Sequence, residues 1–146
     1  MKKNICLCFV VIFLACGAHN KQILVFEPVK GGGSFTFKIP DGYEERRYSG
    51  DNKHQQEYWF KDSSVFYLTT FRNTYNYEEI REQGTYYDRF EALNFGDTIT
   101  LSGNDKKGLN WKDKLIGGGV TVGYSRVPSE RLEAFENAVL SVRKKK

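Results

Sequence analysis

Between Ser34 and Ile39 apolar and polar residues alternate, with Phe35, Phe37 and Ile39 on one side and Thr36 and Lys38 on the other. A period of two marks a half-buried strand, because successive side chains point to opposite faces. Ahead of it, the run Ile23 to Val29 predicts a strand that stops near Pro28, and Gly31 to Gly33 breaks the chain between the two. Pro40-Asp41-Gly42 closes the second strand as a turn. The segment Gln56 to Phe71 predicts an aromatic hairpin, in which Tyr58-Trp59-Phe60 returns through Asp62-Ser63-Ser64 to Val65-Phe66-Tyr67-Leu68. Three more strands are predicted over Thr98 to Ser102, Leu109 to Leu115 and Val120 to Arg126, the last two joined by Gly117-Gly118-Gly119 as a hairpin loop.

Helical signals lie between and after these strands. Asn76 followed by Glu79 has the spacing of a capping box and predicts a helix from Tyr77 through Ile80 to Gln83, where Gly84 interrupts. Thr85 with Asp88 predicts a second stretch, Tyr86 to Leu93. A final helix opens after Pro128 with Ser129 as N-cap, Glu130 and Glu133 near its positive end and Arg143 to Lys146 near its negative end. Leu132, Phe135, Val139 and Val142 recur on one face of it and predict core packing. The pattern as a whole predicts an α+β domain, a mostly antiparallel sheet covered by helices with the C-terminal helix packed on the sheet.

The first residues follow a different logic. Lys2 and Lys3 precede an apolar run from Ile5 to Ala15, Cys16 follows, and the chain turns polar after Gly17. That run falls short of the about 20 apolar residues a membrane span needs and reads as an export signal. Phe13-Leu14-Ala15-Cys16 resembles a bacterial lipobox, although Phe13 stands where lipoboxes usually carry Leu or another aliphatic. The resemblance implies that residues 1–15 are a lipoprotein signal peptide, that Cys16 is acylated with palmitate-like chains, and that 16–21 is a tether to a single domain, 22–146. It also implies a membrane-anchored protein of the cell envelope, on the outer membrane where the cell has one, since Gly17 supplies no acidic retention signal. Ordinary secretion is the alternative, because Ala15-Cys16-Gly17 and Cys16-Gly17-Ala18 also present small residues at a cleavable spacing.

Composition narrows the chemistry. The chain has three cysteines, Cys6, Cys8 and Cys16, so cleavage before Cys16 leaves one thiol, and that one is lipidated. The exported domain then has no internal disulfide, thiolate metal site or cysteine nucleophile. Of the two histidines, His19 lies in the tether and His54 in the polar turn Gly50 to Gln56, so no cofactor and no metal are expected. The net charge of +4 includes Lys2, Lys3 and the terminal Lys144 to Lys146, which leaves no broad basic field for nucleic acid.

The order Phe35-Thr36-Phe37-Lys38-Ile39-Pro40-Asp41-Gly42-Tyr43, then an aromatic hairpin, then Val122-Gly123-Tyr124 and a closing helix with Phe135 and Ser141, resembles the PsbP-like fold. The resemblance implies an adaptor or accessory protein that docks on a larger assembly, and it carries over no functional residue.

Aromatic residues make up 15% of the chain and supply the candidate surface. Tyr75, Tyr77, Tyr86 and Tyr87 flank a polar helical segment and suit a protein interface, where the ring buries area while the hydroxyl keeps a hydrogen bond. Trp59 or Trp111 with neighbouring acids would suit glycan stacking. Glu44, Glu45, Glu78, Glu79, Glu91 and Asp113 are the acids a metal-independent hydrolase would draw on, although no spacing fixes a pair. The leading expectation is a non-enzymatic binding lipoprotein on an envelope protein, with immunity against an exported toxin as one form of it. Glycan or envelope-polymer binding is the alternative, and a carboxylate hydrolase the third.

Overall fold

The computed structural model describes residues 22–28, 33–50, 53–71, 74–82, 98–116 and 119–145. In chain order the strands are β1 (Leu24–Phe26), β2 (Phe35–Phe37), β3 (Tyr43–Gly50), β4 (Lys53–Phe60) and β5 (Val65–Thr69). Helix α1 (Tyr77–Glu82) follows, then β6 (Thr100–Asn104), β7 (Asn110–Ile116) and β8 (Val120–Val127). A 3₁₀ turn at Ser129–Arg131 leads into α2 (Leu132–Ser141), and β9 (Arg143–Lys144) is the last element among the described residues. Among the described residues six strands form one sheet in the order β3-β4-β5-β8-β7-β6, and β1-β2-β9 form a small second sheet, with every pairing antiparallel.

The core lies on one face of the large sheet. Tyr58, Phe66, Leu68, Val122 and Tyr124 point into it, and Phe135 and Val139 of α2 close it from above. The small sheet completes the cover with Phe26, Phe35 and Phe37, while Thr36 is turned half outward, as the alternation predicts. Aromatic rings meet mostly edge to face, Phe60 and Phe135 at 5.1 Å and Tyr124 and Phe135 at 5.8 Å. The C-terminus of α2 is tied down twice. Ser141 Oγ accepts the Lys38 amide at 2.9 Å, and the Arg143 guanidinium donates to the Leu140 and Val142 carbonyls that the helix leaves open.

Three expectations are corrected. β3 was not anticipated at all, because Tyr43-Glu44-Glu45-Arg46-Arg47-Tyr48 has no apolar alternation. Ser129 makes no side-chain cap, and the chain enters α2 through the 3₁₀ turn instead. His54 sits in β4 opposite Ser49, where its amide donates to Thr70 Oγ1 at 2.9 Å. The predicted helix Tyr86 to Leu93, and the signal and tether with Cys16, lie outside the described residues.

Candidate functional site

The second face of the large sheet carries a different kind of residue. Across β3, β4, β5, β8 and β7 it presents Arg46, Glu57, Tyr67, Gly123 and Asp113 in register. The stretch from Thr74 into α1 lies over it, with Asn76 and Ile80 buried.

At the centre of this face is a buried polar knot. Tyr67 Oη donates to Asp113 Oδ1, Thr74 Oγ1 donates to Asp113 Oδ2 at 2.5 Å, and Asn76 Nδ2 lies 2.9 Å from both Tyr67 Oη and Asp113 Oδ1. The same Asn76 amide reaches the Tyr124 carbonyl at 3.0 Å. Asn76 was expected to cap α1 with its side chain. Instead the amide turns into the sheet, and the helix starts with the Ile80 amide on the Asn76 backbone carbonyl at 2.9 Å. Gly123 makes room for the knot: a Cβ there would stand 2.4 Å from the Lys112 carbonyl oxygen and 2.7 Å from Tyr67 Oη.

Toward the β3 edge the face becomes aromatic and cationic. The Trp59 indole N–H donates to Glu57 Oε2 at 2.6 Å, and Glu57, only 1% exposed, also accepts Gln55 Nε2. The guanidinium carbons of Arg46 and Arg126 lie 4.7 and 5.0 Å from the Trp59 ring centroid. Tyr75 meets Trp59 edge to face at 5.9 Å and leans on Tyr67 at 5.4 Å. Burial first, and then the Glu57 carboxylate beside it, push the Tyr75 hydroxyl well above the ordinary tyrosine range, so it stays a hydrogen-bond donor. Tyr48, 48% exposed, stands on the same face of the sheet edge.

Arg126 reaches this cluster through a backbone irregularity. Lys112 pairs with Tyr124 but Asn110 pairs with Val127, so Ser125 and Arg126 together oppose Trp111. This is a β-bulge, and Arg126 occupies the left-handed region at φ 58°, which re-aims its side chain. Beside it opens a cleft of about 660 Å³ with Glu78, Glu79, Asp105, Lys106 and Lys107 in its walls, where Lys106 and Glu82 pair at 2.8 Å.

The structure thus brings Trp59 and Tyr75 together, and places Tyr77 at the start of α1. Tyr86, Tyr87 and Glu91 lie outside the described residues. Trp111 is 1% exposed, which removes it as a stacking platform, and the Trp59 ring already carries two guanidinium groups. The acids are dispersed: Glu44 and Glu45 on β3, Glu78 and Glu79 on α1, Asp113 inside the knot. Among the described residues no group of three or more His, Cys, Asp and Glu is placed to hold a metal ion, and no helix is long and apolar enough to cross a membrane. Arg46 and Arg126 are the site residues the sequence reading missed. Arg126 closes an ordinary strand pattern, and nothing in the sequence marks the bulge.

Comparisons with protein-family models, curated proteins and solved structures find no match.

Proposed function

We propose that this chain is a lipid-anchored accessory protein of the cell envelope, docking through the Trp59 face on an acidic surface of an envelope protein. The observation that carries the reading is the cluster of Trp59, Tyr75, Arg46 and Arg126 on one sheet face, with Trp59 held by buried Glu57. Trp, Tyr and Arg are the residues on which interface energy concentrates, because they combine large buried area with fixed polar geometry. Of the two guanidinium groups on the indole, Arg46 is shared with Glu44, so Arg126 supplies the positive charge that an acidic partner complements. The buried acceptor that fixes the indole removes much of the ordering cost before binding.

The lipobox resemblance at Cys16 supports the envelope location, and the Phe35 to Tyr43 motif with Ser141 tied to Lys38 supports a PsbP-like arrangement of the domain. The test is crosslinking in intact cells with capture of the tagged chain, comparing wild type with Arg126→Glu. A defined partner recovered with wild type and lost with Arg126→Glu, at unchanged circular dichroism, supports the docking face. Recovery unaffected by Arg126→Glu rejects that face. An intact mass of the processed wild-type chain that shows no acyl chains on Cys16 rejects the anchor.

A further inference from the structure

β3 is the terminal strand of the large sheet. It runs eight residues without proline, all of them exposed except the half-buried Tyr43. Among the described residues its ladder runs to β4 alone, so its outer backbone edge is open. An open edge of this length is a template for another strand, and proteins commonly guard such edges with charge. A guard works when the charges share a sign. Here Glu44 and Glu45 are followed by Arg46 and Arg47, so the edge is neutral over these four residues and opposite in sign at its two ends.

We infer that β3 pairs antiparallel with β3 of a second copy of this chain, joining two six-stranded sheets into one across a two-fold axis. Geometry restricts the register. A two-fold axis that relates antiparallel neighbours in one sheet stands perpendicular to the sheet and keeps its faces. Directly opposed residues must then share a face, so a residue lies opposite its own counterpart at the axis. Centring on Arg46 sets Glu45 opposite Arg47 of the second copy, and Arg47 opposite its Glu45, while Tyr43 falls opposite Ser49. This register overlaps more of β3 than centring on Glu45 does. Centring on Arg47 opposes no unlike charges.

On the helix-covered face, Glu45 and Arg47 of both copies then form a square of alternating charge. Each copy is already arranged for it, since Arg47 Nε donates to Glu45 Oε1 along the strand and Gln56 Nε2 steadies the same carboxylate at 2.6 Å. The single like-charge contact, Arg46 against Arg46, is relieved because each guanidinium is drawn over its own Trp59 and lies 3.3 Å from its own Glu44. Backbone hydrogen bonds along the shared edge supply the affinity, and the charge pattern supplies the register.

The experiment expresses two differently tagged full-length copies in the same cells and reads how much of one is recovered on capture of the other. Wild type is expected to recover itself, and recovery should fall with added salt. Arg47→Glu alone, or Glu45→Arg alone, replaces two attractive oppositions by two repulsive ones and should lower recovery about tenfold. Arg47→Glu co-expressed with Glu45→Arg restores both oppositions and should restore recovery, which also shows that each variant folds. Absence of wild-type self-capture overturns the proposal. So does self-capture indifferent to both variants, or a mixed pair that recovers no better than either variant alone.

Discussion

At the scale of single residues, the second sheet face depends on one position that leaves no room for a side chain and on one carboxylate that several donors share. Gly123 is that position. Any Cβ there meets the Lys112 carbonyl oxygen and the Tyr67 hydroxyl far inside contact distance, so Gly123→Ala must part β8 from β7 or expel Tyr67. The expected loss is about 3 kcal/mol, the upper range for overpacking, read from the urea midpoint. Asp113→Ala acts on the same knot by a different route, removing the carboxylate that Tyr67 and Thr74 donate to, while Asn76 keeps the Tyr124 carbonyl. Buried donors left unsatisfied cost about 1–3 kcal/mol each before relaxation, so this variant should be at least as damaging as Gly123→Ala, and Asp113→Asn should recover part of the loss. None of this was legible in the sequence. Asn before a helix with Glu three residues later fits a cap, and only the fold reveals that Asn76 turns inward. Trp59 could be singled out as an aromatic, but the two arginines that define its surroundings come from β3 and from a bulge in β8.

At the scale of elements, legibility followed burial. The β4–β5 hairpin was readable because Tyr58, Phe60, Phe66 and Leu68 face the core, and the observed register sets Tyr58 opposite Phe66. Most of the stripe on α2 was readable for the same reason, with Phe135 and Val139 buried, but the helix ends at Ser141 and Val142 and Arg143 continue as extended chain. β3 was not, because an edge strand with charged residues on both faces carries no period. α2 also has a polar attachment: Glu136 accepts Tyr124 Oη at 2.6 Å and pairs with Lys112 Nζ. Burial opposes ionisation of Glu136, but the Lys112 and Tyr124 hydrogen bonds outweigh it and hold the carboxyl below its ordinary 4.5. A carboxyl depressed in the folded state stabilises fully above its unfolded value and loses that contribution as pH falls through the folded one. Asp62, bonded by Ser64 and Arg131 against the same burial, behaves alike. Denaturation midpoints should therefore fall between about pH 5 and pH 2, and Glu136→Gln should flatten part of that fall. An identical acid slope in the variant would show that Glu136 contributes nothing there. Phe135→Ala tests the apolar side of the same helix, with an expected loss of about 3–5 kcal/mol.

At the scale of the whole molecule, the two proposed surfaces have a fixed relation. A two-fold axis perpendicular to the sheet keeps both Trp59 faces on one side of the joined sheet, and leaves α2 and the small sheet on the other. β1 belongs to that small sheet, so in both copies the first described strand lies on the side of the joined sheet away from the Trp59 faces. Docking and self-association then separate by mutation. Arg126→Glu changes the face and not the edge, so it should lose the envelope partner and keep self-capture. Arg47→Glu changes the edge on the opposite face of the sheet, so it should lose self-capture and keep a single docking site. Two linked sites bind a clustered or repeated partner more tightly than one through effective concentration, by a factor on the order of a hundred where the geometry allows both to engage. Partner recovery with Arg47→Glu should therefore fall without vanishing and return when Glu45→Arg is co-expressed. If Arg47→Glu abolished partner recovery outright while the mixed pair failed to restore it, the edge itself would be the partner's binding site, and the two surfaces would have to be reassigned.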